Sequence, residues 1–175
     1  MKVVRMSVCL SLLLVLMNAC HLEQIRHDPE MAVLAANTFL SVLYFNEDYD
    51  KAIQLADAQL RDNASINDLR NMVGMTKRER GRLQSLTADS YVINPGHNIG
   101  LFYIGHYAGG GILYHRLVLI GDATSGYRVA GVWFSRKPYP STSSRHKFEG
   151  EFSISESAKF QSRDGVTCTQ NPPTS

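Results

Sequence analysis

The chain has 175 residues, 44% of them apolar and 19% charged, with a formal net charge of +2. That balance excludes a collagen-like repeat, a multi-pass membrane protein and a fully disordered chain, and it leaves room for one ordinary domain. Lys2 and Arg5 lie in an apolar leader, so 18 basic residues fall to 16 against 16 acidic ones. The remainder is close to neutral and gives no sign of the basic face that a nucleic-acid binder carries.

Residues 1–19 combine a basic start, an apolar run from Val8 to Met17 and a small residue before a polar break. This is the pattern of a secretory signal, and the run is shorter than the ~20 residues a membrane span needs. From His21 onward the chain is polar. Leu16-Met17, Ala19 and Cys20 resemble the lipobox of bacterial lipoproteins, in which the cysteine after a small residue is lipidated and becomes the new N-terminus. The resemblance implies acylation of Cys20, with palmitate among the chains, and a lipid anchor in the bacterial cell envelope. His21 stands where an inner-membrane retention signal carries Asp, which favours the outer membrane in a Gram-negative host. Two alternatives stay open: ordinary cleavage that leaves Cys20 plain, and a disulfide between Cys20 and Cys168 in an oxidising compartment. Cys9 leaves with the leader. With no CxxC spacing, no metal site and no cofactor is expected.

Residues 20–28 read as a tether. Asp28-Pro29 is a helix start, and Val33, Ala36, Leu40, Leu43 and Tyr44 give a helical stripe that predicts a helix to about Phe45. A second helix is expected from Tyr49 to Leu60. A third begins near Ser65, where Ser65-x-x-Asp68 approximates a capping box, and stops at Gly81. The period then changes to alternation. Four strands are expected, at about Leu83–Ile93, Ile99–Tyr107, Ile112–Ile120 and Tyr127–Phe134, joined by Asn94-Pro95-Gly96, Gly109-Gly110-Gly111 and the stretch Gly121 to Gly126. Such short connections predict a four-stranded antiparallel meander, hence an α+β domain over 29–136 with the helices on one face. Residues 137–175 are rich in Ser, Thr and charge; Phe148, Phe152 and Phe160 are sparse, so a disordered tail is expected, with one short extra strand near Glu151–Ile154 as an option.

The amphipathic helix ending in Asn46-Glu47-Asp48-Tyr49, the segment Ser65-Ile66-Asn67-Asp68-Leu69-Arg70, the lead-in Gly81-Arg82-Leu83-Gln84-Ser85-Leu86 and the strand Gly126-Tyr127-Arg128-Val129-Ala130-Gly131-Val132-Trp133 carry a second likeness. Together they resemble small secreted bacterial domains of unknown function with a cystatin-like or NTF2-like fold. The likeness covers roughly residues 29–135 and implies a fold, with no chemistry to carry over.

Enzymes of the NTF2-like kind move protons with a carboxylate or a His–Asp pair inside the cone. Between Ser90 and Gly121 there is no Asp or Glu, and Arg116 is the sole formal charge, so no catalytic residue is assigned. His97, His106 and His115 recur every nine residues. The bland reading is separate half-exposed strand histidines, and the sharper one is a metal or proton-transfer role; Tyr103, His106, Tyr114, His115 and Trp133 are the candidates for a small-molecule or enzyme pocket. The basic run Lys77 to Arg82 reads as a solvated helix end. Strict alternation places Tyr127, Val129, Gly131 and Trp133 on one sheet face and Arg128, Ala130, Val132 and Phe134 on the other. Both faces are then fairly apolar, and the face not covered by helices is a candidate surface for a protein partner or a second copy. The functional expectation is a non-enzymatic, lipid-anchored envelope binding or scaffold domain. The alternatives are a small-molecule site or enzyme in the sheet cavity, and a subunit of an envelope secretion machine.

Overall fold

The computed structural model describes residues 26–96 and 98–156. The leader, Cys20, His97, Phe160 and Cys168 lie outside the described residues. Helix α1 (Pro29–Leu40) starts where the Asp28 carboxylate accepts the backbone N–H groups of Glu30 and Met31 at 3.0 and 3.1 Å. It buries Ala32, Val33, Ala36, Phe39 and Leu40, the spacing of one inward stripe. The chain that enters α1 is fastened to three turns and strands at once. Ala123 N–H donates to the Arg26 carbonyl at 2.9 Å, the His27 ring meets the Gly96 carbonyl at 2.9 Å, and Asp28 N–H donates to the Tyr127 hydroxyl at 2.8 Å.

A π-helical turn (Ser41–Phe45) continues α1, and Val42, Leu43, Tyr44 and Phe45 are all buried in it. Four successive buried residues exceed one α-helical stripe. The wider turn accommodates them because it touches α4 (Ile66–Arg80) and the sheet together. The helix expected from Tyr49 to Leu60 is in fact two, α2 (Tyr49–Leu55) and α3 (Ala58–Asn63). Between them Ala56 is extended and bridges Val129, and Asp57 N–H donates to the Val129 carbonyl at 2.8 Å. The break covers an otherwise open strand edge. α4 opens in the expected capping box, with Asp68 N–H donating to Ser65 Oγ at 3.2 Å and Ser65 N–H to the Asp68 carboxylate at 2.8 Å. It closes on Gly81 at φ +80°, where a side chain would also meet the backbone of Gly109.

Strands β1 (Leu83–Ile93), β2 (Asn98–Tyr107), β3 (Gly111–Asp122) and β4 (Gly126–Ser135) form the antiparallel meander within two residues of the expected bounds. The sheet has a fifth strand, β5 (Arg145–Ser155), in the order β4-β3-β2-β1-β5. This corrects the expectation of four strands and, for residues 137–156, of disorder; the rest of the expected tail, 157–175, lies outside the described residues. The phenylalanines look sparse in sequence because β5 is irregular where it pairs with β1. Ala88 faces Phe152 while Ser90 faces Lys147, and the slack brings the Phe148 ring to 5.2 Å from Phe152 and 5.0 Å from Tyr91.

The architecture is α+β, with the helices ahead of the sheet in sequence and packed on its inner face. That face is dry: Leu86, Ile99, Leu101, Leu117 and Leu119 are fully buried against the helices. The alternation expected for β4 is corrected by a bulge at Ala130, between the pairs Leu119↔Val129 and Val118↔Gly131. Tyr127 and Val129 point inward before it; Val132 and Phe134 point inward after it, and Trp133 turns outward. Among the described residues no helix is long and apolar enough to cross a membrane.

Replacing Ser65 with Ala removes the cap of α4 and lowers unfolding free energy by about 1 kcal/mol. Urea melts of the two proteins, compared at equal slope, measure this directly; an unchanged midpoint contradicts the capping role.

Candidate functional site

The residues expected to share a pocket are divided between the two sheet faces. Tyr103 and His115 point inward and are buried, as cross-strand partners. His106, Tyr114 and Trp133 point outward. His106 is exposed, Tyr114 is half-buried and Trp133 is 50% exposed. One residue of offset separates Tyr114 from His115, and on a pleated strand that sends the side chains to opposite sides.

The inner group is a hydrogen-bonded chain within the core. The imidazole of His115 lies between two phenols, with Tyr107 Oη at 3.0 Å from Nε2 and Tyr44 Oη at 3.4 Å from Nδ1. Tyr44 packs edge-on to the ring and Tyr107 stacks with it. Room for the ring comes from the opposite strand: a Cβ on Gly105 would lie 2.9 Å from Nε2 and 3.1 Å from Leu86. Tyr103 donates to the Asn37 side-chain carbonyl at 3.0 Å. Only about 10 Å³ of open space lies beside Tyr44, Thr76 and Tyr107, less than one water comfortably fills. The interior is therefore a packed core in which a neutral imidazole satisfies two buried hydroxyls.

Burial pushes the His115 ring down to about 4. It also raises the Tyr44 hydroxyl, with a further push from Tyr107, and raises those of Tyr103 and Tyr107. All four groups are uncharged at neutral pH.

The outer group is open. Leaving β4, residues 136–144 cross the outer face diagonally to reach β5 and form a strap over it. The Tyr139 ring packs on Phe102, with centroids 5.7 Å apart. Arg145 fastens the strap: Nη1 donates to the carbonyls of Tyr139 and Pro140 at 3.0 and 3.4 Å, Nε to Ser90 Oγ at 2.6 Å and Nη2 to the Asp89 carboxylate at 3.1 Å. The same guanidinium lies 3.9 Å from the Phe102 ring centroid. Lys147 pairs with the other oxygen of Asp89. Burial alone would raise the Asp89 carboxyl, but hydrogen bonds from Lys147 and Ser90, with the charges of Lys147 and Arg145, hold it below its ordinary value.

Beneath the strap is a recess of about 210 Å³. Phe102, Ile104 and Tyr114 line its sheet side, Pro138 and Tyr139 the strap side, and Asp89, Arg145 and Lys147 its polar wall. Just outside this lining, Arg116 is the cross-strand neighbour of Phe102 and lies 5.7 Å from the Trp133 ring. Its buried Nε finds no acceptor among the described residues.

Of the expected pocket residues only Tyr103 and Tyr114 touch this recess. Sequence reasoning missed Asp89, Tyr139, Arg145 and Lys147 as site residues. The usable signal was Pro138-Tyr139-Pro140, an aromatic held between two prolines that stiffen a crossing segment. Among the described residues no group of three or more His, Cys, Asp or Glu could hold a metal ion. Comparison with protein-family models, with curated proteins and with solved structures finds no match to the chain.

The low value for His115 fixes a direction for acid sensitivity. An unfolded imidazole takes its proton near pH 6.5 and the folded one near 4, so the unfolded state binds more protons in that window. Stability contributed by the neutral ring is complete above pH 6.5 and declines as pH falls, by about 1.4 kcal/mol per unit. Between pH 7.5 and 4.5 we expect His115 to cost the fold about 2–3 kcal/mol. His115→Leu starts less stable, because two phenols lose their partner, but has the shallower acid slope. Equal slopes in urea melts across that range would contradict this account.

Proposed function

We propose that the chain is a lipid-anchored bacterial envelope protein whose domain, of cystatin-like or NTF2-like type, is a non-enzymatic binding module. The outer sheet face under the strap is its binding surface. One observation carries the choice of face: the inner side is filled around His115, while the outer side holds a preformed recess with half-covered aromatic rings. Binding sites are concave, largely apolar and provided with a few fixed polar groups. The outer recess meets that description and the filled interior does not, which disfavours chemistry inside the cone.

The anchor rests on Cys20, which lies outside the described residues. Its support is the apolar leader, Ala19 before the cysteine and the abrupt polar turn after it. Beyond the recess, Trp133 at 50% and Ile112 at 41% exposure extend the apolar part of the outer face. They favour a protein partner or a second copy as an additional contact there.

Cys20→Ser is expected to leave the membrane fraction, and wild type to incorporate labelled palmitate where the variant does not. A Cys20→Ser protein that stays with the membrane, with no label in wild type, removes the anchor. For the binding face, a photo-crosslinking residue at Ile112 is expected to trap envelope partners or a second copy. The same residue at exposed Met31, on α1, is expected to trap none; equal trapping at both positions counts against the outer face.

A further inference from the structure

The outer face carries one rung that runs across all five strands: Lys147, Ser90, Phe102, Arg116 and Trp133 are successive cross-strand partners. Two cations thus flank one aromatic ring, with a second ring at the far end. Three strand spacings, about 14 Å, separate the backbones of Lys147 and Arg116; the Lys147 ammonium lies on Asp89 and the Arg116 guanidinium beside Trp133. Tyr139 roofs the space between them, and the Arg116 charge lowers its hydroxyl against the dominant raising by burial.

The charges do not cancel. Asp89 is the carboxylate of the recess and faces both Arg145 and Lys147, leaving one positive charge in excess. Arg116 adds a second, with no carboxylate within ion-pair distance among the described residues and with Nε lacking an acceptor. A buried guanidinium nitrogen without an acceptor is costly, and an anionic oxygen relieves it. The donors of Arg145 are already committed to Ser90, Asp89 and the strap carbonyls. Arg145 therefore builds the recess; Lys147 spends one ammonium donor on Asp89 and keeps the others, and Arg116 has no carboxylate partner among the described residues, so these two are the cations that can turn donors to a ligand. Size narrows the choice further. A recess of about 210 Å³ is below the ~300–1,000 Å³ typical of sites for drug-sized molecules.

We propose that the recess binds a small organic anion with a flat ring: the ring lies between Tyr139 and the Ile104–Tyr114 floor, and its carboxylate or phosphate meets Lys147 and Arg116. This rests on the reading of the outer face as the binding surface and adds the class of ligand.

The test uses the full chain, purified in neutral detergent, with benzoate, phenyl phosphate, benzyl alcohol and inorganic phosphate as probes. Calorimetry gives affinity. The fluorescence of Trp133, the single tryptophan of the chain, reports on Arg116 beside it. Benzoate or phenyl phosphate is expected to bind at least tenfold more tightly than benzyl alcohol or inorganic phosphate and to change the Trp133 signal. The better of the two states whether carboxylate or phosphate is preferred. Lys147→Gln and Arg116→Gln are each expected to weaken that probe about tenfold and leave benzyl alcohol unchanged. Tyr139→Ala weakens all three ring compounds, and circular dichroism melts confirm that each variant is folded. Equal binding of charged and neutral ring compounds overturns the proposal, as does unchanged affinity in both Gln variants or no binding of any probe. In each of these cases fractionation and crosslinking still decide the envelope reading independently, so the two failures are distinguishable.

Discussion

Five strands in the order β4-β3-β2-β1-β5 place the last two at opposite edges of one sheet. The link between them must cross a face, and the helices already occupy the inner one. Residues 136–144 therefore pass outside, and the length is adequate: four strand spacings are about 19 Å, and the diagonal is well within reach of an extended nine-residue segment at ~3.3 Å per residue. An irregular segment laid across a sheet brings backbone carbonyls that need donors. Arg145 supplies them at Tyr139 and Pro140 while its plane rests on Phe102. The strap is held by Arg145 at its β5 end and tied by Arg136 to Glu79 at 2.6 Å where it leaves β4, and the recess lies beneath it over Ile104 and Tyr114.

The two faces use polar groups in opposite ways. Inside, His115 is uncharged and its nitrogens serve two buried phenols. A charged ring there would have no counter-ion and would cost several kcal/mol. Outside, Arg116, the next residue, keeps its charge beside Trp133. The pleat alone separates a neutral core group from a charged surface group.

Much of the fold was legible because the pattern and the turn chemistry agreed. Asp28-Pro29, the Ser65–Asp68 capping box, Gly81 and the glycine-bearing turns set the element bounds closely. What was not legible depended on distant partners. The break at Ala56 follows from pairing with Val129, and nothing near Ala56 announces it. The bulge at Ala130 reverses the parity of β4, so Trp133 moved to the other face from Tyr127. β5 reads as polar because it is an edge strand whose phenylalanines find Tyr91 across the sheet. The candidate site suffered most, since parity assigns faces and tertiary crossing assigns roofs. Tyr103, His106, Tyr114, His115 and Trp133 are close along two hairpins, yet the sheet itself stands between them.

The fastening of the chain ahead of α1 has a mechanical meaning. Arg26, His27 and Asp28 are bonded to Ala123, Gly96 and Tyr127, at the turns joining β3 to β4 and β1 to β2 and at the start of β4. A pull on the chain from its N-terminal side is therefore shared among several strands before α1 feels it. Tension enters near the strand ends, where many ladder bonds carry it together, and the core under the helices is shielded from that load.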